Sequence, residues 1–313
     1  MNEERVIEKA FVGLSRKMSG RVFRDVSLAK RVTFRVGGPA SILATADTIS
    51  DLRLLFQIVE RYRIPYFVLG KGSNILVSDK GFKGIAIELG PNFKKISVDG
   101  RYIQTGAAAA LSTLSQVAWK NSLKGFAFAV GIPGSLGGAL VMNAGAHGGC
   151  MANIVNTVTV YTPNCELRVL NKTELGFGYR TSSLLSYGII VEAMTRLEPG
   201  DPDRIRFLME RYFRRRKEVQ PFEYPTAGSI FKNVSGISSG KVIDEVGCKG
   251  LTIGGAQVSS KHGNFIVNLG NAKAQDIYSL IGEVRRRVYG RKRILLEPEI
   301  IILGEFEDEQ RNS

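Results

Sequence analysis

The chain of 313 residues carries 43 Lys and Arg against 29 Asp and Glu, a formal net charge of +14, with 44% hydrophobic and 23% charged residues. These are ordinary globular proportions, enough for two or three domains, and no apolar run approaches the roughly 18–20 residues that cross a bilayer. With two histidines, and three cysteines (Cys150, Cys165, Cys248) that form no CxxC pair, a histidine-based zinc centre or a Ser–His triad has little material.

Taken in chain order, the opening MNEERVIEKAFVGL is acidic and amphipathic, unlike a signal peptide, and Val6 to Lys17 reads as a short helix. Thr33 to Val36 and Ser41 to Ala46 read as strands about a Gly37-Gly38-Pro39 turn. Ser50 can cap a helix on which Leu52, Leu55, Phe56, Val59 and Tyr62 keep helical spacing. Tyr66 to Leu69 is a buried-type strand that completes a small α/β unit. From Ile75 to about Leu197 the texture is β-rich, with runs at 84–88, 94–98, 102–105, 155–161 and 189–197 around one helix at 111–121. Asp201 to Lys217 reads as a basic helix. The clearest helix is Ala272 to Tyr289, with Ile277, Leu280, Ile281, Val284 and Val288 on one face and Gly290 as its stop. Ile300 to Leu303 reads as a buried strand. The fold expected is α+β, with segments at 1–74, 75–199 and 200–313.

The charge favours anionic partners: nucleic acid, an anionic membrane or phosphorylated small molecules. Its clusters are Arg214 to Lys217, Arg285 to Arg287 and Arg291 to Arg293, which late in a helix are also what the helix dipole favours. A nucleic-acid binder needs aromatics interleaved with such runs, and only Tyr212, Phe213 and Tyr289 qualify.

The stretch from Gly131 to Gly149, GIPGSLGGALVMNAGAHGG, holds seven glycines and no charge. So many glycines in a half-apolar stretch suit a wall of backbone amides laid against a flat or phosphorylated cofactor, or a turn packing two strands. A second loop, Gly70-Lys71-Gly72-Ser73-Asn74, follows a strand and suits a pyrophosphate or a plain polar turn. Neither is a Rossmann fingerprint, because GxGxxG opening a helix is missing. The nearest Walker candidate, Gly236 to Lys241, is one residue short and has Val242 where Ser or Thr must hold magnesium.

LGKGSNILVSD (Leu69 to Asp79) together with the Gly131 stretch resembles the FAD-binding half of the vanillyl-alcohol-oxidase/PCMH superfamily. The match narrows at Gly178-Tyr179-Arg180-Thr181-Ser182-Ser183, at Pro225 to Asn233, at Gly250 to Asn268 and at Leu296-Glu297-Pro298-Glu299. These motifs, in order from Thr33 to Gly304, resemble the MurB family of UDP-N-acetylenolpyruvoylglucosamine reductases. The resemblance implies a two-part PCMH-type FAD-binding module, a small α/β unit plus a larger α+β domain, followed by a C-terminal α+β substrate domain. It implies non-covalent FAD, NADPH as co-substrate and a UDP-sugar substrate. No nucleic acid and no membrane insertion are expected, and a cytoplasmic monomer is.

Residue by residue, the resemblance makes Ser229 the proton donor, Glu299 and Arg180 the stabilisers of an enol intermediate, and Tyr179, Lys217, Asn233 and Gln257 substrate contacts. It places the flavin on Gly70, Lys71, Gly72, Ser73, Asn74, Gly131, Ile132, Pro133, Gly134, Ser135, Gly137, Gly138, Asn143, Ala144 and Gly145. His147 borders that set, with no basis for a covalent bond. Eleven residues separate Arg180 from Glu192, which is similar to the shorter form of the family that lacks an added tyrosine loop. The rival readings are a flavin oxidase of a small alcohol or sugar on the same module, and a basic nucleic-acid-binding protein.

Overall fold

The computed structural model describes residues 3–234 and 236–307. The chain divides into two compact units, one of Met1–Arg24, Ile42–Lys71 and Gly84–Arg216, the other of Asp25–Ser41, Gly72–Lys83 and Lys217–Ser313. The expected mixture of helix and strand is found in both.

The first unit opens on the helix Glu3–Lys17, with Glu3 and Glu4 in its first turn, Arg16 and Lys17 in its last, and Ile7, Ala10 and Leu14 buried on one face. The helix Ile49–Tyr62 is capped by Thr48 rather than by Ser50. The Thr48 hydroxyl accepts from Asp51 N at 3.1 Å and the Asp51 carboxylate accepts from Thr48 N at 3.0 Å, a reciprocal capping box. Both helices share an apolar cluster that includes Ile42, Ala44, Ile85 and Ile87. These four come from a sheet ordered Val22–Ser27, Pro39–Ala46, Phe82–Leu89, Tyr66–Val68. Thr33 to Val36 forms no strand: the chain there turns, with Arg35 at φ +57° and Thr33 N donating to Gly72 O at 3.0 Å.

A second sheet of five antiparallel strands runs Leu167–Asn171, Val155–Tyr161, Ile189–Arg196, Tyr102–Gly106, Ile96–Asp99. Val158, Val160, Ile190 and Ala193 face the helices Leu111–Lys120 and Leu136–Val141, which contribute Leu111, Leu114, Ala118, Leu136 and Leu140 to the same core. The edge strand Leu167–Asn171 went unpredicted because Leu167 and Val169 are exposed and only Leu170 is buried, so its alternation is weak.

In the second unit the helix Ala274–Lys292 buries Ala274, Ile277, Leu280, Ile281, Val284 and Val288. It runs through Gly290 and stops at Arg293, which takes φ +57° and donates its N–H to Tyr289 O. Its first turn is capped from far away: Ala274 N and Gln275 N donate to the two carboxylate oxygens of Asp79, each at 2.9 Å. A small antiparallel sheet, Thr252–Ile253, Ala256–Val258, Ile266–Asn268, packs against this helix. The strand Ile301–Leu303 pairs in parallel with Ile75–Val77. It is half-exposed, and only Ile300 just before it is buried, so the expected buried strand lies at the unit's margin.

Candidate active site

In the first unit the glycine-rich stretch is folded around Ser135, the N-cap of Leu136–Val141, whose hydroxyl accepts from Gly138 N at 3.4 Å. Leu136, Ala139 and Leu140 are pulled into the core, leaving Gly137 half-exposed and Gly138 exposed on the other side of the turn. Gly70 lies directly on this cap: a Cβ added there would fall 2.6 Å from Ser135 Oγ. Gly70 and Ser135, sixty-odd residues apart and both read as flavin contacts, are therefore neighbours. Lys71 beside them is exposed.

The turn Gly178–Thr181, closed by Gly178 N to Thr181 O at 3.0 Å, holds Arg180 at φ +56°, a left-handed conformation costly for a side chain with a Cβ. In that conformation the Arg180 guanidinium donates to Gly145 O at 3.0 Å and lies 5.4 Å from the Tyr179 ring centroid. Asn143 fastens the turn to the glycine stretch, its amide donating to Gly178 O at 2.8 Å and accepting from Ala152 N at 3.0 Å. The structure thus brings Asn143, Gly145 and Arg180 together. Tyr179 is 55% exposed, open to a ligand.

Arg216 was legible only as one member of a basic run. The structure half-buries it with Gly131, whose φ is +72° and whose added Cβ would come within 3.3 Å of the Arg216 Nε and 3.0 Å of the Phe213 ring. Arg216 Nε is buried and finds no hydrogen-bond partner among the described residues, and desolvation lowers its pKa from the usual arginine value. His147 stacks flat on Tyr212, centroids 4.1 Å apart, and burial followed by the nearby Arg216 charge lowers its pKa. A half-buried guanidinium whose buried Nε–H is unused calls for an anion or an acceptor edge. A glycine wall with no Cβ lets such a group approach the backbone. Together they fit a bound flavin.

The second unit holds Ser229 and Glu299. The segment Ser229 to Lys232 is an extended strip between two others. On one side Ser229 bridges Phe265 and Ile230 N donates to Asn264 O at 2.9 Å. On the other, Glu299 N donates to Ile230 O at 2.7 Å and Lys232 N to Glu297 O at 2.9 Å. Ser229 and Glu299 are both half-buried and sit on adjoining backbone segments. Glu297 is engaged by Lys232 Nζ at 2.7 Å.

Sequence reasoning missed one asparagine here and one bond of another. Asn264, 4% exposed, grips the strip with its side chain, accepting from Phe231 N at 2.9 Å and donating to Phe231 O at 2.8 Å. Asn74, read only as a flavin contact, donates to Glu299 O at 3.1 Å and accepts Ile301 N on its own carbonyl at 2.9 Å. Gly72 takes φ +60° and its added Cβ would lie 2.3 Å from Arg31 O, so that position is closed to any other residue; Ser73 beside it is half-buried. The remaining expected contacts lie elsewhere in the same unit. Lys217 is exposed and its carbonyl accepts from Lys261 Nζ at 2.7 Å. Asn233 is exposed and accepts from Ser239 N at 3.1 Å, and Gln257 donates to Thr252 Oγ1 at 3.1 Å. Among the described residues no cluster of His, Cys, Asp and Glu could hold a metal ion, and no helix is long and apolar enough to cross a membrane.

Known proteins share this organisation. A family model described as FAD binding domain matches residues 40–171, and one described as UDP-N-acetylenolpyruvoylglucosamine reductase, C-terminal domain, matches residues 220–303. UDP-N-acetylenolpyruvoylglucosamine reductase of Clostridioides difficile is 43% identical over 282 residues, 90% of this chain and 93% of the relative. That of Desulforamulus reducens is 42% identical over 289 residues, 92% and 95% of the two chains. The crystal structure of the reductase from Thermus caldophilus superposes with a TM-score of 0.80 at 39% identity, covering 91% of this chain and 100% of the other. Similarity of this depth along nearly the whole length places the chain in the UDP-N-acetylenolpyruvoylglucosamine reductase family.

Proposed function

We propose that this chain reduces UDP-N-acetylenolpyruvoylglucosamine to UDP-N-acetylmuramate in peptidoglycan precursor synthesis, with FAD as its cofactor and NADPH as its reductant. The relatives it resembles favour neither an oxidase nor a nucleic-acid binder. The bound flavin supplies hydride transfer, inward from NADPH and outward to the vinyl carbon of the enolpyruvyl ether. Gly70 to Asn74, Gly131 to Gly138 and Asn143 to Gly145 hold it, on the portion of the chain before residue 199. Substrate contacts come from residues 200–313 together with Tyr179 and Arg180.

Arg180 pairs with the substrate carboxylate, where a guanidinium meets two oxygens at once. With Glu299 it stabilises the enol intermediate that forms as the vinyl carbon is reduced. Ser229 then gives its hydroxyl proton to the carbon bearing the carboxylate: the O–H bond breaks, the enolate electron pair forms the C–H bond, and the serine oxygen regains a proton from water. A serine is a feeble acid, and it serves only against a strongly basic intermediate in fixed geometry. The observation that best supports this assignment is the 2.7 Å bond from Glu299 N to Ile230 O, which keeps the serine and the carboxylate on adjoining strips. Lys217, Asn233 and Gln257 bind the diphosphate and sugar, and the protein acts as a cytoplasmic monomer.

An anaerobic absorbance scan tests this. Flavin colour is expected to bleach with NADPH and to return on adding UDP-N-acetylenolpyruvoylglucosamine, and Ser229→Ala to slow turnover about 10²–10⁴-fold with flavin reduction intact. Flavin that air reoxidises but the substrate does not would point to an oxidase. A colourless protein that takes up no FAD would overturn the proposal.

A further inference from the structure

We propose that Asn264 is a positioning residue for proton donation by Ser229, an inference that rests on the serine's role set out above. On its Glu299 side the strip that carries Ser229 is held by main-chain bonds from Glu299 N and Lys232 N and by the ion pair of Lys232 with Glu297. On its other side the pairing changes character two residues after the serine. Ile230 N meets a main-chain carbonyl, that of Asn264, but both the N–H and the C=O of Phe231 are met by the Asn264 side chain, at 2.9 and 2.8 Å. The primary amide replaces a peptide group, offering one acceptor and one donor at the spacing a neighbouring strand would offer.

The lock is fully buried and belongs to a residue that is itself fixed. Asn264 is 4% exposed, Phe231 is 2% exposed, and Asn264 N donates to His262 Nδ1 at 3.2 Å. Ser239 Oγ donates to the carbonyl of Lys232, the next residue along the strip. Ser229 itself is half-buried and follows Gly228, whose φ is +78°; before that glycine, Thr226 Oγ1 donates to Ile266 O at 2.7 Å. On the C-terminal side of the serine the strip is fixed by the Phe231 clamp, two residues from the hydroxyl. An amide is the only side-chain group of this size that satisfies both Phe231 groups at neutral pH.

That requirement gives a test that general loosening does not imitate. In Asn264→Asp the ionised carboxylate still accepts from Phe231 N but opposes Phe231 O with a second acceptor, displacing the strip. Protonated, the same side chain regains the donor and the original pairing. The measurement is single turnover of NADPH-reduced holoenzyme with UDP-N-acetylenolpyruvoylglucosamine, in H₂O and D₂O, from mildly acidic to mildly alkaline buffer. N264D is expected to form product about 10–100-fold more slowly than wild type in alkaline buffer and to recover to within about threefold in acid, as a misplacement near 1 Å would give. Its solvent isotope effect is expected to exceed that of wild type only on the alkaline side. A profile parallel to wild type, or an impairment equal at every pH with a wild-type isotope effect, would overturn the inference.

Ser229→Ala, run alongside, separates the two layers. If S229A turns over like wild type, the role of Ser229 falls and the inference with it. If S229A is slow while N264D tracks wild type, only the role of Asn264 falls. Should N264D fail to retain FAD, N264S carries the test, because a hydroxyl is too short to span both Phe231 groups. It is expected to show the enlarged isotope effect at every pH, and a wild-type isotope effect there would overturn the inference.

Discussion

Asn74 and Glu299, 225 residues apart in sequence, are joined by one hydrogen bond from the Asn74 amide to the Glu299 carbonyl at 3.1 Å. A loop whose glycines read as a phosphate cradle thus also fixes the main chain of Glu299, the carboxylate proposed to act on the intermediate. Replacing Asn74 by Ala should cost about 1 kcal/mol of stability, the usual worth of such a bond. It should lower kcat more than it weakens FAD. Flavin titration beside steady-state kinetics checks the order: if FAD affinity falls and kcat stays level, the contact to Glu299 is incidental.

Gly70→Ala should be felt at Ser135. The new methyl would sit 2.6 Å from Ser135 Oγ, so the serine must rotate away and give up its cap on Gly138 N. A lost cap and a crowded contact together predict a destabilisation of about 1–3 kcal/mol. Thermal melting with and without FAD reads it, and the loss should be larger with the cofactor present.

Arg216→Met carries opposite signs in the two states. Without flavin the guanidinium is a partly buried charge with an unused Nε–H, so an apolar side chain of similar length should leave apoprotein stability unchanged or slightly higher. With flavin the same substitution removes a charge-assisted contact, and FAD affinity should fall about tenfold or more. Fluorescence quenching on FAD titration measures the second effect and apoprotein melting the first. Lower apoprotein stability together with unchanged FAD affinity would contradict both.

Asp51 gives the fold an acid-side weakness. Burial alone would raise its pKa, but bonds from Ser19 Oγ and from the N–H groups of Asp47, Ser19 and Thr48 outweigh burial and hold it below the ordinary value. A lowered folded-state pKa means that the stabilisation is fully present above the unfolded carboxylate value of about 3.9 and is lost as pH falls through the folded value. Asp51→Asn should therefore lower stability by about 2 kcal/mol near neutrality, with the gap to wild type closing below about pH 4. Urea unfolding across that range is the check, and a gap that widens in acid would be the wrong sign.

Much of this was legible in the residues, and the misses have physical reasons. The apolar face from Ile277 to Val288 announced its helix, but Gly290 did not end it, because an interior glycine costs a helix only about 1 kcal/mol and Arg293 supplies the left-handed cap. Thr33 to Val36 has the composition of a strand, yet its hydrogen bonds go to a loop, with Thr33 N donating to Gly72 O. At the site, the glycine stretch stood out because seven uncharged glycines are costly in entropy. Asn264 did not stand out, since an asparagine after glycine reads as a turn residue until the carbonyl and N–H it faces are known. Arg216 hid in a run of like charges, and only packing separates the member that is turned inward.

The pairing of Ile75–Val77 with Ile301–Leu303 has a consequence for synthesis on the ribosome. The earlier strand leaves the exit tunnel long before its partner exists, and with the 225 residues between Asn74 and Glu299 still to be made it waits roughly 10–45 s at about 5–20 residues per second. Throughout that interval an apolar Ile-Leu-Val edge stays open to other nascent chains. The same delay applies to Asp79, whose helix arrives only at residue 274.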